Sequence, residues 1–116
     1  MSTPPDSFDT QLSVQELDPA RPRLLETPWG PMALFIDAGE VLCVQAFCPH
    51  LEGPLFQGSV AGGAVSCPWH YWRFDLRSGR RIGLVGAVLP GSDTLRRCRV
   101  SFDPRGAIVL HAPSLS

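Results

Sequence analysis

The chain has 116 residues, 44% of them hydrophobic and 18% charged, with a net charge of −1. That describes one globular domain with a core of its own, and it excludes a disordered segment. The near-neutral balance argues against a nucleic-acid partner, and no apolar run reaches the roughly 18 residues that a membrane-spanning helix needs.

Charge is divided along the chain. Residues 1–52 carry eight acids and two Arg, residues 53–116 three acids and eight Arg, and there is no Lys. Such polarity orients a charged partner at the encounter stage. The first residues, Met1-Ser-Thr-Pro-Pro-Asp6, lack the basic and apolar regions of a signal peptide. Of the four cysteines, two stand beside histidines, Cys43 lies in an apolar run, and Cys98 sits in an alternating strand pattern. These features fit a reducing cytoplasm better than a disulfide framework.

Twelve Pro and eleven Gly spread along the whole length leave little room for helices. Short β-type runs with turn signals between them predict an all-β domain. Residues 1–9 read as a flexible leader, 10–112 as the domain and 113–116 as a tail. A first strand is expected within Thr10–Leu17 and another over Arg23–Thr27. Pro28-Trp29-Gly30-Pro31 is a turn, and Met32–Asp37 and Glu40–Phe47 form a hairpin about Ala38-Gly39. Gln57–Val60 and Ala64–Ser66 flank Ala61-Gly62-Gly63 as a second hairpin. Arg73–Leu76 follows, with a turn at Arg77-Ser78-Gly79. Leu95–Phe102 and Ala107–Leu110 close the domain about Asp103-Pro104-Arg105-Gly106.

Two peptides carry the chemistry. Cys48-Pro49-His50 and Cys67-Pro68-Trp69-His70 each present a thiolate and an imidazole, and residues 51–66 separate them. Each follows a strand, so each is a loop held at a strand end, and the proline after each cysteine stiffens the loop by fixing φ. Two sulfurs and two nitrogens fit a [2Fe–2S] cluster with mixed ligands. The same atoms serve a structural Cys2His2 zinc site. Zinc fingers, however, commonly keep their two cysteines close together and their two histidines close together, whereas here each cysteine has its own histidine.

Cys48-Pro49-His50-Leu51 with Gly53-Pro54-Leu55 and Gly58, then Val65-Ser66-Cys67-Pro68-Trp69-His70, resembles the Rieske [2Fe–2S] family. Trp72-Arg73-Phe74-Asp75-Leu76 and Ser78-Gly79 are similar to the segment after the second ligand loop of Rieske ferredoxins and ring-hydroxylating oxygenases. Pro90, Leu95, Val100 and Ile108 fit the closing strands more loosely. The resemblance covers residues 10–112. It implies three small antiparallel sheets with two cluster-binding loops at one tip, Cys48 and Cys67 on one iron and His50 and His70 on the other. Gly53 and Trp69 stand where membrane-complex relatives have a bracing pair of cysteines, which implies the soluble branch. Tyr71 stands where the family often has Gly or Asn. Either the backbone there is ordinary or a small strain is stored; core packing is one expectation for its ring, a cover over the site or a partner contact another. Leu51, Pro54 and Trp69 are expected to form an apolar collar, Trp72 and Phe74 to pack inward, and His111 to be a surface residue.

The function so implied is that of a cytoplasmic iron-sulfur electron-transport protein, a dioxygenase component carrying single electrons. Its expected partners are a flavin-dependent reductase and a terminal oxygenase, with no substrate site of its own. A nitrite reductase small subunit, partnered by the large subunit, shares these features. A zinc-binding interaction module is the non-redox alternative.

Overall fold

The computed structural model describes residues 4–49, 52–69, 71–83 and 94–113. His50, Leu51, His70 and Pro90, all singled out from the sequence, lie outside the described residues.

The described residues include eleven short strands: β1 (Ser7–Asp9), β2 (Arg23–Thr27), β3 (Gly30–Asp37), β4 (Glu40–Gln45), β5 (Ser59–Ala61), β6 (Ala64–Ser66), β7 (Arg73–Asp75), β8 (Arg81–Ile82), β9 (Arg97–Cys98), β10 (Val100–Phe102) and β11 (Ile108–His111). They form three antiparallel sheets of order β1-β11-β10, β2-β3-β4-β9 and β5-β6-β7-β8. The all-β, three-sheet expectation holds.

The middle sheet, β2-β3-β4-β9, organises the rest. Side chains alternate across a strand, and on β3 both faces are covered. Ala33 and Phe35 join Val44, Ala46, Leu55, Val65, Phe74, Leu76, Leu95, Cys48 and Cys67 in one core. Met32 and Leu34, on the opposite face, join Val41, Cys43, Cys98, Ile108, Leu110 and Leu17 in a second. Met32-Ala33-Leu34-Phe35 is therefore an unbroken apolar run because it is buried on two sides.

Turn chemistry fixes the register. Ala38 (φ 53°) and Gly39 (φ 79°) are both left-handed, as a two-residue hairpin loop of the primed type requires, and they set Asp37 opposite Glu40. Arg77, from the turn after β7, reaches that hairpin and pairs with Asp37 (2.9 Å) and Glu40 (2.9 Å). These exposed pairs add little energy but tie the middle sheet to the β5–β8 sheet. Asp75 accepts the Ser78 N–H at 2.8 Å, which closes the same turn.

Three expectations change. The leader over residues 1–9 is too long: Ser7–Asp9 pair with β11, and Trp29 Nε1 donates to the Pro5 carbonyl. Thr10–Leu17 holds a single 3-10 turn, Val14–Glu16, and no strand. The Glu16 carboxylate accepts the Ser13 N–H at 2.7 Å, a capping arrangement that satisfies an otherwise orphaned donor. Leu95–Phe102 is split as well, with Arg97–Cys98 in the middle sheet and Val100–Phe102 in the terminal sheet. The chain changes sheets at Arg99.

Candidate metal centre

Cys48 follows β4 and Cys67 follows β6, and each heads a four-residue hairpin loop. In the first, the Cys48 N–H donates to the Gly53 carbonyl (2.7 Å) and the Glu52 N–H returns to the Cys48 carbonyl (3.0 Å). In the second, the Cys67 N–H donates to the Trp72 carbonyl (2.8 Å) and the Tyr71 N–H returns to the Cys67 carbonyl (2.8 Å). The bonds run to the same relative positions, four and five residues on. The residue four on is left-handed in both, Glu52 at φ 56° and Tyr71 at φ 59°. Antiparallel pairs Phe47–Pro54 and Ser66–Arg73 continue the two hairpins. Two sequence-distant loops thus share one backbone design.

That design holds both cysteines rigidly. Each is only 1% exposed, each belongs to the same core, and none of the four cysteines is disulfide-bonded. The loops also meet. A Cβ placed on Gly53 would lie 2.5 Å from Cys67 Sγ and 3.3 Å from Trp69 Cγ, so the first loop passes over the second cysteine at a distance only glycine allows. Gly58 has a matching role one layer down. A Cβ there would come within 2.3 Å of the Ser66 carbonyl oxygen, against the strand that ends at Cys67. Leu55–Gln57 form a 3-10 turn between these two glycines, with Leu55 fully buried.

Of the four candidate ligands, the structure places Cys48 and Cys67 at the heads of two adjoining loops, in the same core. His50 and His70 lie outside the described residues. The expected collar is partly visible: Pro54 is half-buried, Trp69 is 57% exposed, and Leu51 is outside the described residues. Phe47 was not singled out from the sequence, yet it stands beside the first loop, partly exposed and edge-on to Phe56 with ring centroids 5.7 Å apart. Trp72 and Phe74 pack inward as expected, and the Arg81 guanidinium stacks on the Trp72 ring at 3.3 Å. His111 is partly exposed at the surface, and its Nε2 hydrogen-bonds Ser101 Oγ at 2.7 Å.

Tyr71 corrects the core-packing expectation. Its ring is 77% exposed and its backbone is left-handed, a conformation costing a residue with a Cβ about 1–2 kcal/mol. Glycine at this position avoids that cost but loses more entropy on folding, roughly 0.5–1 kcal/mol. Tyr71→Gly is therefore expected to raise stability by about 0.5 kcal/mol, read as a small increase in Tm. A decrease would mean that the ring contributes packing its exposure does not reveal.

A family model described as the Rieske [2Fe-2S] domain matches residues 8–87. The 4beta-methylsterol monooxygenase of Methylococcus capsulatus is 51% identical over 78 residues, which span 66% of this chain and 21% of that protein. The chain spans only about an eighth to a fifth of the length of the curated relatives it matches. Among solved structures, the ferredoxin of carbazole 1,9a-dioxygenase from Nocardioides aromaticivorans IC177 superposes with a TM-score of 0.74 at 23% identity, covering 95% of this chain and 100% of that one. A protein described as the small subunit of an NADPH nitrite reductase superposes with a TM-score of 0.72 at 20% identity, covering 91% and 98%. At these identities the superpositions establish a shared fold.

Proposed function

The chain belongs to the Rieske [2Fe–2S] family, and from that premise we propose that it is a ferredoxin carrying single electrons from a flavin-dependent reductase to a terminal oxygenase. The observation that carries the reading is its end-to-end correspondence with the carbazole dioxygenase ferredoxin, whose whole length it matches. The 51% identity to part of a monooxygenase supports a place in an oxygenase system.

A [2Fe–2S] cluster is the family's cofactor, and when bound it accepts and returns one electron. The residues fit it. Cys48 and Cys67 supply two thiolates from rigid, buried positions on adjoining loops, and Gly53 leaves the space at Cys67 Sγ clear. In this reading His50 and His70 supply the two imidazoles. Neutral imidazoles in place of two more thiolates leave the centre less negative and easier to reduce. The proline-stiffened, doubly hydrogen-bonded loops suit electron transfer, because ligand geometry should change little between redox states. Phe47, Trp69 and Tyr71 form an exposed aromatic rim around the loops, the kind of surface that marks a docking site.

The test is reconstitution. The purified protein, NADH, a flavin-dependent reductase and a Rieske-type terminal oxygenase should give product at a rate proportional to this chain. The nitrite reductase reading has its own support in the 98% coverage of that small subunit. It predicts stable co-purification with a larger haem-containing subunit and no turnover in the oxygenase assay, and that result would overturn the ferredoxin reading.

A further inference from the structure

Two cysteines take no part in the candidate metal centre. Cys43 on β4 and Cys98 on β9 lie directly opposite one another in the middle sheet, in the core that excludes Cys48 and Cys67. The Gln45 N–H donates to the Arg96 carbonyl at 2.9 Å, two residues along each strand. Cys43 and Cys98 are therefore also a hydrogen-bonded antiparallel pair, with a Cα separation of about 5.5 Å. That falls inside the window of about 4.4–6.8 Å that a disulfide spans. Both side chains belong to the same core cluster.

The surroundings make the two thiols unequal. Cys98 lines two clefts, one of about 350 Å³ shared with Cys43, Arg97 and Arg99, the other of about 470 Å³ shared with Arg97, Arg99 and His111. Cys43 reaches only the first. The hydrogen bond from Cys43 lowers the Cys98 pKa against the opposing effect of burial, and the Arg96 charge acts in the same direction. The Cys43 thiol is pushed well up by its contact with Cys98 and by burial. Both thiols are buried, Cys98 5% and Cys43 2% exposed, but Cys98 borders both clefts and Cys43 only the first.

We propose that Cys98 is a hydroperoxide-reactive thiol and that Cys43 resolves it, giving a reversible β4–β9 disulfide. The Cys98 thiolate attacks one peroxide oxygen, the O–O bond breaks, and hydroxide leaves to give a sulfenic acid. The Cys43 thiol then attacks that sulfur, an S–S bond forms, and water departs. In sum two thiols and one hydrogen peroxide become one disulfide and two waters. A dithiol reductant reverses the step. The closed bond pins β4, the strand leading to Cys48, to β9. The proposal stands whether or not the ferredoxin reading holds.

Cluster-loaded protein is prepared without air, treated with one equivalent of hydrogen peroxide, and its remaining thiols are alkylated under denaturing conditions. Chymotrypsin then separates Cys43 from Cys48 at Phe47. Mass spectrometry is expected to find the Cys43 and Cys98 peptides joined, two hydrogens lighter than their sum, and released by dithiothreitol. Cys43→Ser should trap a dimedone adduct at Cys98, while Cys98→Ser should leave Cys43 alkylated and unoxidised. Alkylated Cys43 and Cys98 after peroxide would overturn the proposal. So would a disulfide joining Cys48 to Cys67, or two chains, in place of the Cys43–Cys98 link.

Discussion

Cys67→Ser is expected to purify without iron or sulfide, and Cys48→Ser likewise. Each cysteine is 1% exposed and fixed by two backbone hydrogen bonds at the head of its loop, and the other two cysteines, Cys43 and Cys98, lie in the opposite core, away from a lost thiolate's place. A serine hydroxyl at the same place is a much harder and less acidic donor. Losing the cofactor also removes its contribution to folding. A group bound at a thousandfold above its Kd contributes about 4 kcal/mol, so the variants should melt well below the cluster-loaded protein. Cys43→Ser is the control. Its side chain lies in the opposite core, and it should keep two irons and two sulfides per chain. A full visible spectrum in either Cys48→Ser or Cys67→Ser would refute the ligand assignment. One zinc and no sulfide in the unmutated protein would return the structural-module alternative.

Gly53→Ala comes next in size. The added methyl would sit 2.5 Å from Cys67 Sγ and 3.3 to 3.4 Å from two carbons of Trp69. Trp69 is largely exposed and can turn away. The Cys67 sulfur cannot, because its backbone is bonded on both sides to the hairpin. The loops must separate, and overpacking of this kind costs about 1–3 kcal/mol. The expected outcome is a cluster lost several-fold faster to an iron chelator, with a lowered Tm. Gly62→Ala separates strain from contact, for Gly62 is left-handed yet a Cβ there meets nothing within 4 Å. It should lower Tm by a comparable amount and leave the rate of cluster loss unchanged. Equal rates in both variants would show that loop separation at Gly53 is not what holds the cluster.

Much of this was legible in the residues, for reasons that differ by element. Arg23–Thr27 and Ala64–Ser66 coincide with β2 and β6 because turn residues bracket them and the turn chemistry sets the register. The capping box at Ser13-Val14-Gln15-Glu16 is equally readable in the residues, and it marks the 3-10 turn that stands where a strand is expected. β9 and β10 were read as one strand because a change of sheet at Arg99 leaves no mark on the alternation of side chains. The two Cys-His peptides stand out in the sequence as candidate ligands through donor type and spacing. Their shared backbone bonding does not, since hydrogen bonds between main-chain atoms carry no residue code. Tyr71 shows the limit most clearly: its left-handed backbone is imposed by the hairpin against the residue's own preference.

The order of the strands has a consequence for assembly. β5 to β8 pair in chain sequence, and the Cys48 loop closes on itself within a few residues, so both cysteine-bearing hairpins rest on contacts of short range. β1 pairs with β11 across nearly the whole chain, a closure of about 100 residues whose entropic cost rises as the logarithm of loop length. Contacts of low sequence separation form fastest. The half of the molecule that carries the two candidate cysteines is thus expected to take shape before the two ends of the polypeptide pair.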